Sequence, residues 1–143
     1  MKKGLGILFI AVVSMVLMSS SSAKKDSGIE FKDMTLTAAI ELSNKTGKLI
    51  FIDCYTDWCG PCKRMAATSF KDEEVGKLYN DNFINLKIEM EKNPDGAAIA
   101  RMYKIRAYPT LIMIDGKGEL KNKVVGMQNV SGLKNFANSV IKK

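Results

Sequence analysis

Leu49-Ile50-Phe51-Ile52-Asp53-Cys54-Tyr55-Thr56-Asp57-Trp58-Cys59-Gly60-Pro61-Cys62-Lys63 is the stretch on which the reading of this chain turns. Its first seven residues are a near-continuous apolar run, rich in branched and aromatic side chains. Such a run suits a central strand covered on both faces. The cysteine pair follows at once, and a helical pattern opens at Cys59. A helix N-terminus carries unpaired N–H groups and the positive end of the helix dipole, so it stabilises an anion. A thiolate at Cys59 gains from both, which lowers its pKa and makes it the better nucleophile at neutral pH. Cys62 lies one turn further in, and the i, i+3 spacing brings both sulfurs onto one face, close enough to bridge. Cys62 is expected to be the more buried and to act second, resolving a mixed disulfide. Pro61 sets a backbone angle at the helix start without removing a needed N–H. Gly60 removes bulk in front of Cys59, and Trp58 shields the sulfurs and offers an apolar docking surface. The plainer alternative is a structural disulfide, but so short a loop gains least from closure.

Asp53 sits among Phe51, Ile52 and Cys54, which predicts its burial. Desolvation disfavours a carboxylate and raises its proton affinity. Below a reactive thiol pair, such a group can accept the Cys62 proton, through water. Cys54 reads as a buried, inert thiol.

Outward from this stretch, strand-like and helix-like segments alternate. Ile29–Phe31 reads as a short first strand and Met34–Lys45 as a helix closed by Gly47. A helical pattern runs from Cys59 to about Tyr79 with a break near Phe70–Asp72. Phe83–Glu89 reads as a strand and Ala97–Tyr103 as a short helix. Thr110–Ile114 and Lys121–Val125 flank the turn Asp115-Gly116-Lys117-Gly118. Ser131 is expected to cap a last helix to about Ile141. The order β-α-β-α-β-α-β-β-α argues for an α/β sandwich, a central mixed β-sheet flanked by helices.

The chain has 143 residues, room for one domain. It contains no histidine, which excludes a Ser-His-Asp or Cys-His pair and any histidine metal ligand. Three cysteines exclude a four-cysteine zinc site within the chain. No metal or cofactor is expected beyond the Cys59–Cys62 disulfide itself. Residues 1–23 have a basic start, an apolar run from Leu5 to Met18 and small residues up to Ala23. This is a signal-peptide pattern, leaving 24–143 as the mature domain. The run is short for a membrane span, and an uncleaved anchor is the alternative. The mature part has 20 basic and 15 acidic residues, a net +5. The lysines are scattered, so nothing supports nucleic-acid binding.

Trp58-Cys59-Gly60-Pro61-Cys62-Lys63 resembles the active-site motif of the thioredoxin family, and the similarity extends from about Leu49 to Lys142. It implies the thioredoxin-like fold and a thiol:disulfide oxidoreductase. It implies that Asp53 is the family's buried acid and that Lys87 neighbours it. It implies that Tyr108-Pro109-Thr110 carries a cis-proline and that Gly126 lies beside the active site. Tyr108, Pro109 and Gly126 would then bind substrate with Trp58, Gly60 and Pro61, the Tyr108 backbone pairing with an extended segment. Met127 after Gly126 reads as core filling, with a place along the same groove as the alternative. Cys54, Tyr55 and Tyr108 depart from the common pattern. The implied partners are disulfide-bearing exported proteins and a membrane thiol relay as electron donor, with the chain a monomer in the periplasm or another extracytoplasmic space. Gly-Pro between the cysteines resembles the reducing end of the family, nearer about −270 mV than about −120 mV. A binding module or chaperone of the same fold is the reading from another class.

Overall fold

A computed structural model describes residues 27–141 of the chain. The signal segment expected over 1–23 lies outside the described residues. The apolar run forms β1 (Leu49–Tyr55), with its five central residues buried. It lies inside a four-stranded sheet, between β2 (Phe83–Glu89) and β3 (Thr110–Ile114), with β4 (Leu120–Val125) beyond β3. β1 pairs parallel with β2 and antiparallel with β3, and β3 pairs antiparallel with β4. The sheet is therefore mixed, as the element order implies.

Successive β1 side chains point to opposite faces and build two separate cores. Ile50, Ile52 and Cys54 pack with Ala39 of α1 (Leu36–Thr46) and Ile99 of α4 (Gly96–Met102). Phe51 packs on the other face with Met65 of α2 (Gly60–Ala67), Val75 and Tyr79 of α3 (Glu73–Asn82), and Leu133 and Phe136 of α5 (Val130–Ile141). Asp53 shares this second face, one pleat beyond Phe51.

The break expected near Phe70–Asp72 is a single 3-10 turn, Ser69–Lys71, between α2 and α3. Asp72 restarts the helix, its carboxylate accepting the Val75 N–H at 3.0 Å. Thr35 caps α1, and Gly47 closes it at φ 74°, a conformation open to glycine at little cost.

Two expectations are corrected. Ile29–Phe31 forms no strand. The segment lies along the outer edge of β2 and is held by backbone bonds together with asparagine side chains. Lys32 N–H donates to Asn85 O at 2.8 Å and Ile29 N–H to Phe70 O at 2.8 Å. Asn80 accepts from Glu30 N–H at 2.9 Å and donates to Gly28 O at 3.1 Å. This strap covers a strand edge without continuing the ladder. Ser131, in turn, lies inside α5 rather than at its cap. Asn129 caps the helix, its side-chain oxygen accepting the Gly132 N–H at 2.8 Å.

Candidate active site

Cys59 and Cys62 are joined by a disulfide at the N-terminus of α2. Cys59 is the N-cap residue, and its Sγ accepts the Cys62 N–H at 3.2 Å. A sulfur thus takes the place of the oxygen that usually caps a helix. Two effects converge there: a backbone N–H aimed at Sγ and the positive end of α2. Burial does not separate the two cysteines, since Cys59 is 3% and Cys62 2% exposed. The cap does separate them, since it belongs to Cys59 alone. Gly60 and Pro61 are exposed, and a Cβ at Gly60 would meet nothing within 4 Å.

Trp58 is 66% exposed despite its size. Its indole N–H donates to both carboxylate oxygens of Glu91, at 3.1 and 3.0 Å, and its ring meets that of Tyr108 edge-on at 6.0 Å. Glu89 anchors the loop that carries Glu91. Its carboxylate accepts the N–H groups of Asp57 at 3.1 Å, Glu91 at 2.9 Å and Lys92. Lys92 closes the loop with an ion pair to Asp57. Neither Glu89 nor Glu91 is readable as a site residue from the sequence. They lie more than 30 residues from Trp58, Glu89 at the end of the strand read over Phe83–Glu89 and Glu91 just past it.

The Tyr108–Pro109 peptide is cis. The Gly126 N–H donates to Pro109 O at 2.8 Å, with Gly126 at φ 94°. A side chain there would be strained by the backbone conformation, although the space is open. The fold therefore brings together Cys59 with Cys62, Trp58 with Tyr108, and Pro109 with Gly126. Val125 and Met127 on either side of Gly126 are exposed.

Asp53 is fully buried beneath this surface, cross-strand from Lys87. The Lys87 ammonium donates to Asp53 Oδ2, while Oδ1 has no hydrogen-bond partner. Burial pushes the carboxyl above its usual range, and the charge and hydrogen bond of Lys87 pull it back in part. A cleft of about 90 Å3 brings Lys87 of the pair and Cys62 to one lining, together with Tyr55 and Thr56. Cys54 points into the opposite core, and burial first, then the Asp53 charge, pushes its thiol far up. It is neutral at physiological pH.

The thioredoxin family profile matches residues 31–139. The chain is 38% identical over 74 residues to Thioredoxin-T of Drosophila melanogaster, which covers 52% of this chain and 43% of that protein. It is 26% identical over 123 residues to the thiol:disulfide interchange protein DsbD of Haemophilus influenzae, covering 82% of this chain but only 21% of the relative. The chain thus spans less than half the length of either relative. Among solved structures, a candidate disulphide-isomerase from Bacteroides thetaiotaomicron superposes with a TM-score of 0.70 at 38% identity, covering 81% of this chain and 96% of that one. With the mixed sheet, the capped cysteine pair and the buried acid beneath it, the match over nearly the whole described chain shows that it belongs to the thioredoxin family.

Proposed function

We propose that the protein reduces or isomerises disulfides of exported proteins, with Cys59 as nucleophile, Cys62 as resolving thiol and Asp53 as proton acceptor. The observation that carries this reading is the cap: Cys59 Sγ accepts a helix-terminal N–H, and Cys62 donates it. In the reduced protein the same N–H stabilises a Cys59 thiolate. That thiolate attacks one sulfur of a substrate disulfide. A Cys59–substrate S–S bond forms, the substrate bond breaks, and the departing thiolate takes a proton from solvent. Asp53 then accepts the Cys62 proton through water. The Cys62 thiolate attacks Cys59 Sγ, the Cys59–Cys62 bond forms, and the second substrate sulfur leaves with the electron pair. Two electrons have passed from the dithiol to the substrate, and the enzyme is left as the disulfide.

Trp58, Gly60, Pro61, Tyr108, Pro109 and Gly126 form the substrate surface in this reading. It is supported by the exposed Trp58 and Met127, by the open space at Gly60 and by the Pro109–Gly126 contact. The export pattern of residues 1–23 supports an extracytoplasmic location, where a membrane thiol relay would return the electrons. Among the described residues no helix is long and apolar enough to cross a membrane.

Insulin reduction with dithiothreitol as electron donor tests the chemistry. The wild type should accelerate it and Cys59→Ser should not. A wild type no faster than Cys59→Ser would overturn the reading in favour of a binding module.

A further inference from the structure

The chemistry proposed above leaves unused the three aromatic rings gathered around Lys87. Its ammonium lies 4.0 Å from the ring centroid of Tyr55, 5.5 Å from that of Phe70 and 5.7 Å from that of Phe31. The rings come from three separate segments: β1, the 3-10 turn and the edge strap. Phe31 and Phe70 also brace each other at 5.2 Å, and Phe31 meets Phe51 at 6.2 Å. A ring face carries negative charge density and attracts an ammonium, more strongly where water is excluded. Lysine is a flexible stem with a strongly hydrated head, so an unheld lysine at a protein edge turns to water. The Lys87 side chain is only 26% exposed.

We infer that Tyr55, with Phe70 and the strap residue Phe31, is a positioning residue that holds the Lys87 ammonium on the Asp53 carboxylate while Asp53 takes the Cys62 proton. The inference rests on Asp53 being that acceptor. The other charged or titratable groups nearby are few. Cys54 shares β1 and stays neutral. Cys62 and Lys63 of α2 and Asp57 of the active-site loop line the cleft. Asp57, Glu89 and Lys92 surround Tyr55 rather than Asp53. β3 places Leu111 opposite Asp53, and the 3-10 turn presents Phe70, neither of which titrates. Lys87 is therefore the cation that favours the ionised form of Asp53 against burial. Without the rings it would spend more time in water, and Asp53 would bind its proton more tightly.

Rapid mixing of the reduced protein with 5,5′-dithiobis(2-nitrobenzoate) separates the two steps. Attack by Cys59 releases one coloured thiolate, and resolution by Cys62 releases the second. Tyr55→Leu should move the pH midpoint of the second release upward by about 0.5 to 1.5 pH units, while the first keeps its midpoint. Tyr55→Phe keeps the ring and should restore the wild-type midpoint. Phe31→Leu lies outside the cleft and should move it less, in the same direction. Tyr55→Leu combined with Asp53→Asn should show the profile of Asp53→Asn alone. Wild-type midpoints in both leucine variants, with a changed profile in Asp53→Asn, would overturn the inference and leave the acceptor reading intact. An unchanged profile in Asp53→Asn would overturn both.

Discussion

Asp53 combines full burial with a single ion pair, and the two act in opposite directions on its proton. Burial is the larger effect, so the folded carboxyl holds its proton above the ordinary value of 3.8. Between that value and the raised one, the folded protein binds more protons than the unfolded chain. Stability is therefore full at acid pH and falls as pH rises through the folded pKa. Asp53→Asn removes the poorly solvated charge. It should raise stability at neutral pH by about 1–2 kcal/mol, with Lys87 turning to water, and the gain should vanish toward acid pH. Urea unfolding across the pH range reads this directly, and an equal gain at all pH values would contradict it. The same variant should resolve mixed disulfides about 10²-fold or more slowly where proton transfer limits the rate, as stopped-flow kinetics would show. Cys54 is the contrasting residue, buried in the opposite core with its thiol held neutral. Cys54→Ala should leave insulin reduction within a few-fold of wild type, and a loss equal to that of Cys59→Ser would show that the third thiol takes part.

The elements show where sequence reasoning reached and where it stopped. β1 was legible because burial on both faces demands an apolar run, and Leu49–Tyr55 is one. The helix break was legible because Asp72 is a good cap followed by two glutamates, Glu73 and Glu74, at the positive helix end. Ile29–Phe31 misled because apolar alternation marks burial against an edge as readily as membership of a sheet. What the segment lacks is a ladder, and ladders depend on partners distant in sequence. The cap of α5 misled for a local reason: Asn129 and Ser131 are both good caps, and only the backbone decides between them. At the site, the cysteine pair and Asp53 were readable from local pattern, Lys87 only by resemblance, and Glu89, Glu91 and the rings around Lys87 not at all. The strap's docking depends on close backbone approach. A Cβ on Gly76 would lie 2.1 Å from Ser27 O and 2.6 Å from the Gly28 backbone. Gly76→Ala should therefore loosen the strap and cost about 1–3 kcal/mol. Hydrogen exchange would report faster exchange of the Ile29 and Lys32 amides, while unchanged protection there would show that the strap can shift at no cost.

At the scale of the molecule, the sheet divides the work between two cores. One, against α1 and α4, is apolar and holds the buried Cys54. The other face, against α2, α3 and α5, carries Asp53, whose partner Lys87 lines the cleft beside Cys62. The loop carrying the cysteines crosses from the end of β1 into α2, so the strand fixes Asp53, the helix end fixes Cys59, and the β2–α4 loop holds Trp58. The central claim is that the helix terminus orders the thiols, Cys59 first and Cys62 second. Serine variants of each cysteine, incubated with a disulfide-bonded substrate and resolved without reductant, test it most directly. Cys62→Ser should accumulate the mixed disulfide, because the attacking thiol remains and the resolving one is gone. Cys59→Ser should not, because a buried Cys62 without the helix-end N–H is a poor nucleophile. Equal trapping by both variants, or trapping by Cys59→Ser alone, would contradict the account.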